Sequence, residues 1–121
     1  MVAIDATALL DNAWSAAFPR GDTQFLQCLL IPQFTQIVRS GGLKFLADEL
    51  EMTANNRGKN LKIPELPKAV ILLHDNVAVA YGVIPSLDPQ GRPKARLADF
   101  YVWEDGQWHA FFAEQTPVAT P

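Results

Sequence analysis

The chain has 121 residues, which predicts a single domain over residues 1–121, and its hydrophobic fraction of 49% is sufficient for one core. Its formal charge of −3 and its scattered basic residues argue against a nucleic-acid or polyanion binder. Cys28 is the only cysteine, which excludes an intrachain disulfide and a cysteine-based zinc site.

The N-terminal segment has the spacing of an amphipathic helix. Its apolar stripe is formed by Leu9, Leu10, Ala13, Trp14, Ala17 and Phe18. Asp5 or Thr7 is placed to cap this first helix, and Pro19-Arg20-Gly21 is placed to end it. Asp22 then caps a short predicted second helix that runs to Leu30.

The middle of the chain predicts a strand followed by a third helix. Pro32 breaks the second helix, and residues 34–38 are a β-rich run that predicts the first strand. After a turn at Ser40-Gly41-Gly42, the apolar spacing predicts a helix through Leu43, Leu46, Ala47, Leu50 and Ala54. Residues 55–58 supply its C-terminal stop. Its acidic residues, Asp48, Glu49 and Glu51, are interpreted as its solvated face.

Strand signals begin after Gly58. Pro64 and Pro67 fit a loop or an edge strand, because proline cannot donate to a central ladder. Residues 69–74 and 77–84 are β-type runs that flank a turn at Asp75-Asn76.

Two longer strands complete the predicted sheet. A turn at Asp88-Pro89-Gln90-Gly91 precedes them, and they span residues 95–103 and 108–118 around Asp105-Gly106. This dipeptide is typical of type I′ hairpins, which need positive φ at both central residues. Helices first and a meander of strands afterwards predict an α+β fold.

A two-residue loop at Asp105-Gly106 would fix the register of the last hairpin. One face then pairs Trp103 with Trp108, Tyr101 with Ala110, Asp99 with Phe112, and Leu97 with Glu114. The other face pairs Val102 with His109, Phe100 with Phe111, Ala98 with Ala113, and Arg96 with Gln115.

Neither face of this hairpin is plainly polar, although a sheet with one face in water should alternate. The helices can cover only one face, so the other needs a second partner. We therefore predict a homodimer packed through the sheet, with an interface that contains Phe100, Val102, His109 and Phe111.

The order of elements resembles the nuclear transport factor 2-like superfamily over nearly the whole chain. The most specific parts are the Gly21-Asp22 step and the C-terminal run Phe100-Tyr101-Val102-Trp103-Glu104-Asp105-Gly106-Gln107-Trp108. The superfamily includes ketosteroid isomerase, SnoaL-like polyketide cyclases, scytalone dehydratase and many uncharacterised small proteins. The resemblance implies a cystatin-like, cone-shaped roll of three N-terminal helices on a curved antiparallel sheet, with a pocket and often a dimeric state.

Ketosteroid isomerase gives the most specific comparison. That enzyme uses an Asp base, with a Tyr and a protonated Asp that stabilise an oxyanion in an apolar cavity. The resemblance places Asp99 on the oxyanion Asp, Trp14 on the Tyr, and Val38 on or next to the base. Because the base is missing, we do not expect steroid isomerisation through these residues.

The candidate site residues are Trp14, Val38, Asp99, Tyr101, Trp103, Phe112 and Glu114. Asp99, the candidate catalytic residue, lies among aromatic side chains and should have a raised pKa. It is alternatively a rim carboxylate or one paired with an arginine. Glu114 is a second candidate carboxylate or a solvated residue. Trp14 and Tyr101 are also consistent with core positions.

No cofactor is predicted. His74 and His109 lack the spacing of a metal set, and no hydrolase elbow or phosphate loop is present. Cys28 is interpreted as a small buried hydrophobe. The N-terminus does not resemble a signal peptide and no stretch is long enough to span a bilayer, so a cytoplasmic location without a membrane partner is expected.

Three functions stay open from the sequence. The first is a module that binds a small apolar molecule, oriented by Asp99. The second is an isomerase, dehydratase or cyclase that uses Asp99, with or without Glu114. The third is a non-catalytic dimeric scaffold whose pocket is filled by its own side chains. The fold accommodates all three functions.

Overall fold

The computed structural model describes residues 3–63, 68–84 and 90–118. Its helices are α1 (Ala3–Arg20), α2 (Thr23–Leu29) and α3 (Leu46–Asn55). Its strands are β1 (Leu30–Ile37), β2 (Leu43–Phe45), β3 (Val70–His74), β4 (Val77–Ile84), β5 (Ala95–Glu104) and β6 (Gln107–Pro117). The predicted Pro64 and Pro67 loop and the start of the predicted turn, Asp88-Pro89, lie outside the described residues.

The strands form one six-stranded sheet in the order β2-β1-β6-β5-β4-β3. All neighbours are antiparallel except β1 and β6, which are parallel. The predicted α+β arrangement of three helices on a sheet is therefore confirmed, with the correction that the sheet is mixed. No helix in the described ranges is long and apolar enough to cross a membrane.

The turn between α1 and α2 is fixed by glycine and by capping. The Asp22 carboxylate accepts a 3.1 Å hydrogen bond from the Phe25 N–H, as the sequence predicts. Gly21 has φ +75°, and a Cβ there would lie 2.6 Å from the Arg57 Cα. The Arg57 guanidinium donates to the Gly21 carbonyl at 3.3 Å and to the Thr23 hydroxyl at 2.8 Å. These contacts tie the turn to the C-terminal end of α3.

The segment between α2 and α3 differs from the prediction. β1 begins at Leu30 and includes Pro32, and Leu43 belongs to strand β2 rather than to the third helix. The helix begins only at Leu46, where the Asp48 carboxylate accepts a 2.8 Å hydrogen bond from the Phe45 N–H. A strand of 3 residues is too short to produce a recognisable alternation, which is why the sequence did not reveal it.

The last hairpin follows the predicted register only near its turn. Trp103 is opposite Trp108 and Tyr101 is opposite Ala110, as predicted. The register then shifts between Tyr101 and Phe100, and Phe100 is opposite Phe112 rather than Phe111. Phe111 is therefore the extra residue of a β-bulge in β6.

The bulge exchanges the faces of β6 beyond it. Asp99 is opposite Ala113 and Leu97 is opposite Gln115. The prediction that Phe112 and Glu114 share a face with Asp99 is therefore wrong, because one inserted residue moves every later side chain to the other face.

The core lies between the helices and one face of the sheet. Its buried members are Trp14, Ala17, Leu26, Leu29, Leu30, Phe34, Ala78, Ala80, Tyr101, Trp108, Ala110 and Ala113. Helix α1 is rotated relative to the predicted stripe, because Leu9 is 55% exposed while Thr7 and Asp11 are buried. Cys28 is exposed, so its interpretation as a buried residue is wrong.

The opposite face of the sheet carries apolar side chains that no described helix covers. One row of directly opposed residues crosses all six strands: Phe45, Thr35, Phe112, Phe100, Val79 and Leu72. We call it the outer row. The Phe100 ring lies 6.1 Å from the Phe111 ring and 5.6 Å from the Phe112 ring, between centroids. The ends of the row, Phe45 and Leu72, are 51% and 56% exposed.

Candidate functional site

A second row crosses the face of the sheet that the helices cover. In order across the sheet it contains Lys44, Gln36, Ala113, Asp99, Ala80 and Ile71. We call it the inner row. Directly opposed residues of neighbouring strands point to the same side, so these side chains face the helices. Lys44 lies at the edge of the sheet and Asp99 lies on its fourth strand.

A cavity of about 500 Å³ lies between the inner row and helices α1 and α3. Its apolar lining includes Trp14, Phe18, Met52, Ile84, Leu97 and Ala113. Its ionisable lining includes Arg39, Lys44, Glu49 and Asp99. The volume falls within the range of roughly 300–1,000 Å³ that small-molecule sites occupy.

Asp99 is one of the carboxyls on the cavity wall. Most of the residue is enclosed, and the accessible part of it belongs to the cavity lining. Burial raises the pKa of Asp99 well above its usual range, and a hydrogen bond with Asp11 and the charges of Asp11 and Glu49 raise the pKa further. These effects favour the neutral acid, which can donate a hydrogen bond to a bound molecule.

Asp11 links Asp99 to the core. The Tyr101 hydroxyl donates a 2.7 Å hydrogen bond to the Asp11 carboxylate, and both residues are buried. Burial, followed by the charges of Asp11 and Asp99, raises the pKa of Tyr101 well above its usual range. Tyr101 therefore stays a hydroxyl donor, and its bond holds Asp11 in place beside Asp99.

Glu49 is a second carboxyl on the cavity wall. It is only 6% exposed, and burial raises its pKa while a hydrogen bond from the Trp14 indole opposes that change. Trp14 in turn packs edge-on against Phe34 and Tyr101, with ring centroids 5.7 and 6.4 Å apart. The indole thus has two roles, as an apolar wall and as the donor that positions Glu49.

The structure brings together three of the sequence-predicted site residues. Trp14, Val38 and Asp99 all line the cavity. Tyr101 is fully buried behind the wall and reaches the site through Asp11.

The other three candidates lie elsewhere. Trp103 is 46% exposed near the hairpin turn and packs against Trp108 at 5.6 Å. Phe112 and Glu114 follow the bulge onto the opposite face. None of the three is among the described residues that line the cavity.

Two site residues, Asp11 and Glu49, were not found from the sequence. Asp11 lies on a stripe with Thr7 and Trp14, at helical spacings of four and three, and all three are buried. Glu49 was assigned to a solvated face, which is wrong for this residue; the neighbouring Asp48 does form an exposed cap. In both cases the signal was a carboxyl on the apolar side of a helix.

Within the described ranges, no group of three or more His, Cys, Asp or Glu residues could hold a metal ion. The carboxyls of the cavity instead interact with each other, with Tyr101 and with Trp14.

No family model and no curated protein matches this sequence. Solved structures do match it. An NTF2-like protein from Cytophaga hutchinsonii ATCC 33406 aligns with a TM-score of 0.78 and 16% identity, over 98% of this chain and 100% of the other. The chain has the NTF2-like fold.

Two further solved structures align with this chain over most of its length. A proposed dehydratase of the NTF2-like family from Streptomyces avermitilis aligns with a TM-score of 0.71 and 14% identity, over 97% of this chain and 96% of the other. A protein with a cystatin-like fold from Caulobacter vibrioides aligns with a TM-score of 0.67 and 17% identity, over 95% and 89%. The resemblance to the nuclear transport factor 2-like superfamily is thereby confirmed for the NTF2-like fold.

Proposed function

We propose that this protein binds a small, mostly apolar molecule in the cavity, with Asp99 donating a hydrogen bond to a carbonyl or hydroxyl oxygen of that molecule. The observation that supports the proposal is a neutral-favoured carboxyl on a cavity whose other walls are largely aromatic and aliphatic. Small-molecule sites have this composition, with a large apolar surface and a few polar groups that fix orientation.

Binding is measured with N-phenyl-1-naphthylamine, a neutral fluorescent probe, and 4-phenyl-2-butanone as its competitor. Met52 lines the cavity and is 40% exposed, so Met52→Trp should fill the space without disturbing the core. We expect the wild type to bind the probe with saturation and Met52→Trp to bind it at least tenfold more weakly. If Met52→Trp binds the probe as tightly as the wild type does, the probe binds outside the cavity, and this result would contradict the proposal.

The role of Asp99 is tested with the same ketone. Asp99→Leu removes the donor, whereas Asp99→Asn keeps one in its amide. We expect Asp99→Leu to weaken ketone binding about tenfold, in line with loss of one buried hydrogen bond of about 1.4 kcal/mol, and Asp99→Asn to weaken it less. Equal ketone affinity in the wild type and both variants would end the orienting role.

Glu49 favours a second candidate function, an isomerase or dehydratase with acid–base chemistry. Val38 cannot act as the base, but Glu49 reaches the same cavity from α3. In a dehydration, Glu49 would remove the proton α to a carbonyl while Asp99 protonates the departing hydroxyl, so that water and an unsaturated carbonyl result. The Streptomyces avermitilis protein, a proposed dehydratase, supports this class.

The acid–base candidate is tested by solvent exchange. In D₂O, the protein should accelerate exchange of the protons α to the carbonyl of 4-phenyl-2-butanone, followed by proton NMR. Glu49→Gln should return the exchange to the rate without protein, while Glu51→Gln, an exposed carboxyl of the same helix, should retain it. A wild type that gives no acceleration although it binds the ketone would exclude this second candidate and leave the binding function.

The third hypothesis, a scaffold with a filled pocket, is disfavoured by the open volume of about 500 Å³.

A dimer is compatible with either remaining function. We propose that the outer row packs against the same row of a second copy, because five of the six side chains of this row are apolar. The predicted interface residues Phe100 and Val102 point to this face. A monomeric mass by light scattering at micromolar concentration would contradict the dimer.

A further inference from the structure

Two basic side chains line one end of the cavity, on the side of the sheet edge formed by β2. Lys44 lies on β2, half-buried, and Arg39 lies in the loop between β1 and β2. Among the described residues, neither side chain has a hydrogen bond or an ion pair. Two cations that make no ion pair on the wall of a cavity form a site for an anionic group.

The loop that carries Arg39 is closed by its own backbone. The Val38 N–H donates to the Gly42 carbonyl at 3.0 Å, and the Gly41 N–H donates to the Val38 carbonyl at 2.8 Å. These bonds flank Arg39 and restrict its backbone, so less conformational freedom is lost when its side chain binds a ligand.

The inner row gives the distance along the sheet between Lys44 and Asp99. Lys44 is opposite Gln36, Gln36 is opposite Ala113, and Ala113 is opposite Asp99. Three strand spacings therefore separate the backbones of Lys44 and Asp99, which is about 14 Å along the sheet. A molecule that contacts both groups must be elongated, with a polar group at each end and an apolar body between them.

The net charge of the cavity lining favours the binding of one anionic group. Arg39 and Lys44 carry two positive charges, and Glu49 and Asp99 are the carboxyls that line the same cavity. The neutral form of Asp99 is favoured by its burial and by Asp11. The lining then has an excess of positive charge, which a single carboxylate would balance.

We propose that the ligand of this cavity is an apolar carboxylic acid, with its carboxylate bound by Arg39 and Lys44 and its apolar body directed along the inner row toward Asp99. Arginine suits this role because its planar guanidinium can bind both carboxylate oxygens. The inference rests on the proposed binding function and adds the chemical class of the ligand.

The test compares 4-phenylbutyrate with 4-phenyl-1-butanol, two molecules with the same apolar body. The affinity of each is measured by competition with N-phenyl-1-naphthylamine for the wild type, for the double variant Arg39→Gln/Lys44→Gln and for Lys59→Gln. Lys59 is the control because it is an exposed cation outside the cavity lining. Without the two cations the alcohol should bind better, because moving a carboxylate out of water costs more than moving a hydroxyl.

We expect 4-phenylbutyrate to bind the wild type and Lys59→Gln about tenfold more tightly than the alcohol, and this preference to fall as salt rises. The double variant should lose the preference while its affinity for the neutral probe is retained. If the wild type binds the alcohol as tightly as 4-phenylbutyrate, or more tightly, the proposal of a carboxylic acid ligand is overturned. The binding function would still stand, provided that the wild type binds the neutral probe and Met52→Trp blocks that binding. Loss of probe binding to the wild-type cavity altogether would overturn both.

Discussion

The hydroxyl of Tyr101 lies 2.7 Å from a carboxylate oxygen of Asp11, although the two are 90 residues apart in the sequence. This bond joins the sheet to helix α1 inside the core. Asp11 also forms a hydrogen bond with Asp99, which lines the cavity. The cavity and the core therefore share one polar network, and changes to one should be measurable in the other.

Tyr101→Phe should destabilise the fold by about 1–3 kcal/mol, because it leaves a buried carboxylate oxygen of Asp11 without its donor. The measurement is urea unfolding followed by tryptophan fluorescence. Tyr81→Phe is the matched control, since Tyr81 is 42% exposed and its hydroxyl makes no hydrogen bond among the described residues. Equal loss of stability in the two variants would show that the bond to Asp11 contributes nothing specific.

Asp99 should make the wild type less stable as the pH rises. Its pKa is raised in the folded state, so above the unfolded-state pKa of about 3.9 the folded protein binds more protons than the unfolded chain. The free energy of unfolding then falls with pH by up to about 1.4 kcal/mol per unit, until the pH reaches the folded-state pKa. Glu49, whose pKa is also raised, acts in the same direction.

Asp99→Asn isolates this contribution. The amide resembles the neutral acid in shape but does not titrate, so the stability of the variant minus that of the wild type should increase from pH 4 to pH 8. Urea unfolding at several pH values gives this difference, and groups common to both proteins cancel. A difference that stays constant across the range would mean that Asp99 ionises alike in the folded and unfolded chains. Glu51→Gln controls for the change in net charge.

Gly21→Ala should destabilise the protein more than Gly58→Ala. Both glycines have positive φ, +75° and +79°, so both substitutions cost about 1–2 kcal/mol of backbone strain. Only at Gly21 would the new Cβ meet backbone, 2.6 Å from the Arg57 Cα, whereas nothing lies within 4 Å at Gly58. Thermal unfolding of both variants measures the difference. Equal melting temperatures would show that the contact with Arg57 can relax.

The parts of the fold that follow from local rules could be predicted from the sequence. Asp22 caps its helix, and Asp105-Gly106 forms a turn with both residues at positive φ, because short-range sterics and hydrogen bonding determine these features. The order of helices and strands likewise gave the α+β class.

What could not be predicted depends on tertiary context. The bulge at Phe111 has no local sequence signal, because Phe111 and Phe112 are the same residue type and either could be the one opposite Phe100. The bulge nevertheless decides that Ala113 rather than Phe112 is opposite Asp99. Burial of Asp11 and Glu49 depends on which face of each helix packs against the rest of the fold. Hydrogen bonds from Tyr101 to Asp11 and from Trp14 to Glu49 compensate for that burial, and only the folded chain shows them.

Phe100→Lys should convert the proposed dimer into a monomer. Phe100 lies in the outer row with Phe112 and Val79 on either side, so a lysine there would place a charge inside an interface between two copies. Size-exclusion chromatography with light scattering should give the mass of two chains for the wild type and of one for the variant at micromolar concentration.

The matched control for this prediction is Trp103→Lys. Trp103 belongs to the same strand, is 46% exposed and points to the other face, so its replacement should leave the dimer intact. Leu72→Lys provides a second test at the exposed end of the outer row, where the side chain is 56% exposed and the monomer should tolerate the charge. We expect Leu72→Lys to weaken the dimer less than Phe100→Lys, because its lysine can reach solvent at the sheet edge. If the dimer survives both outer-row substitutions but Trp103→Lys dissociates it, the interface lies on the face of Trp103 and the proposed interface is wrong.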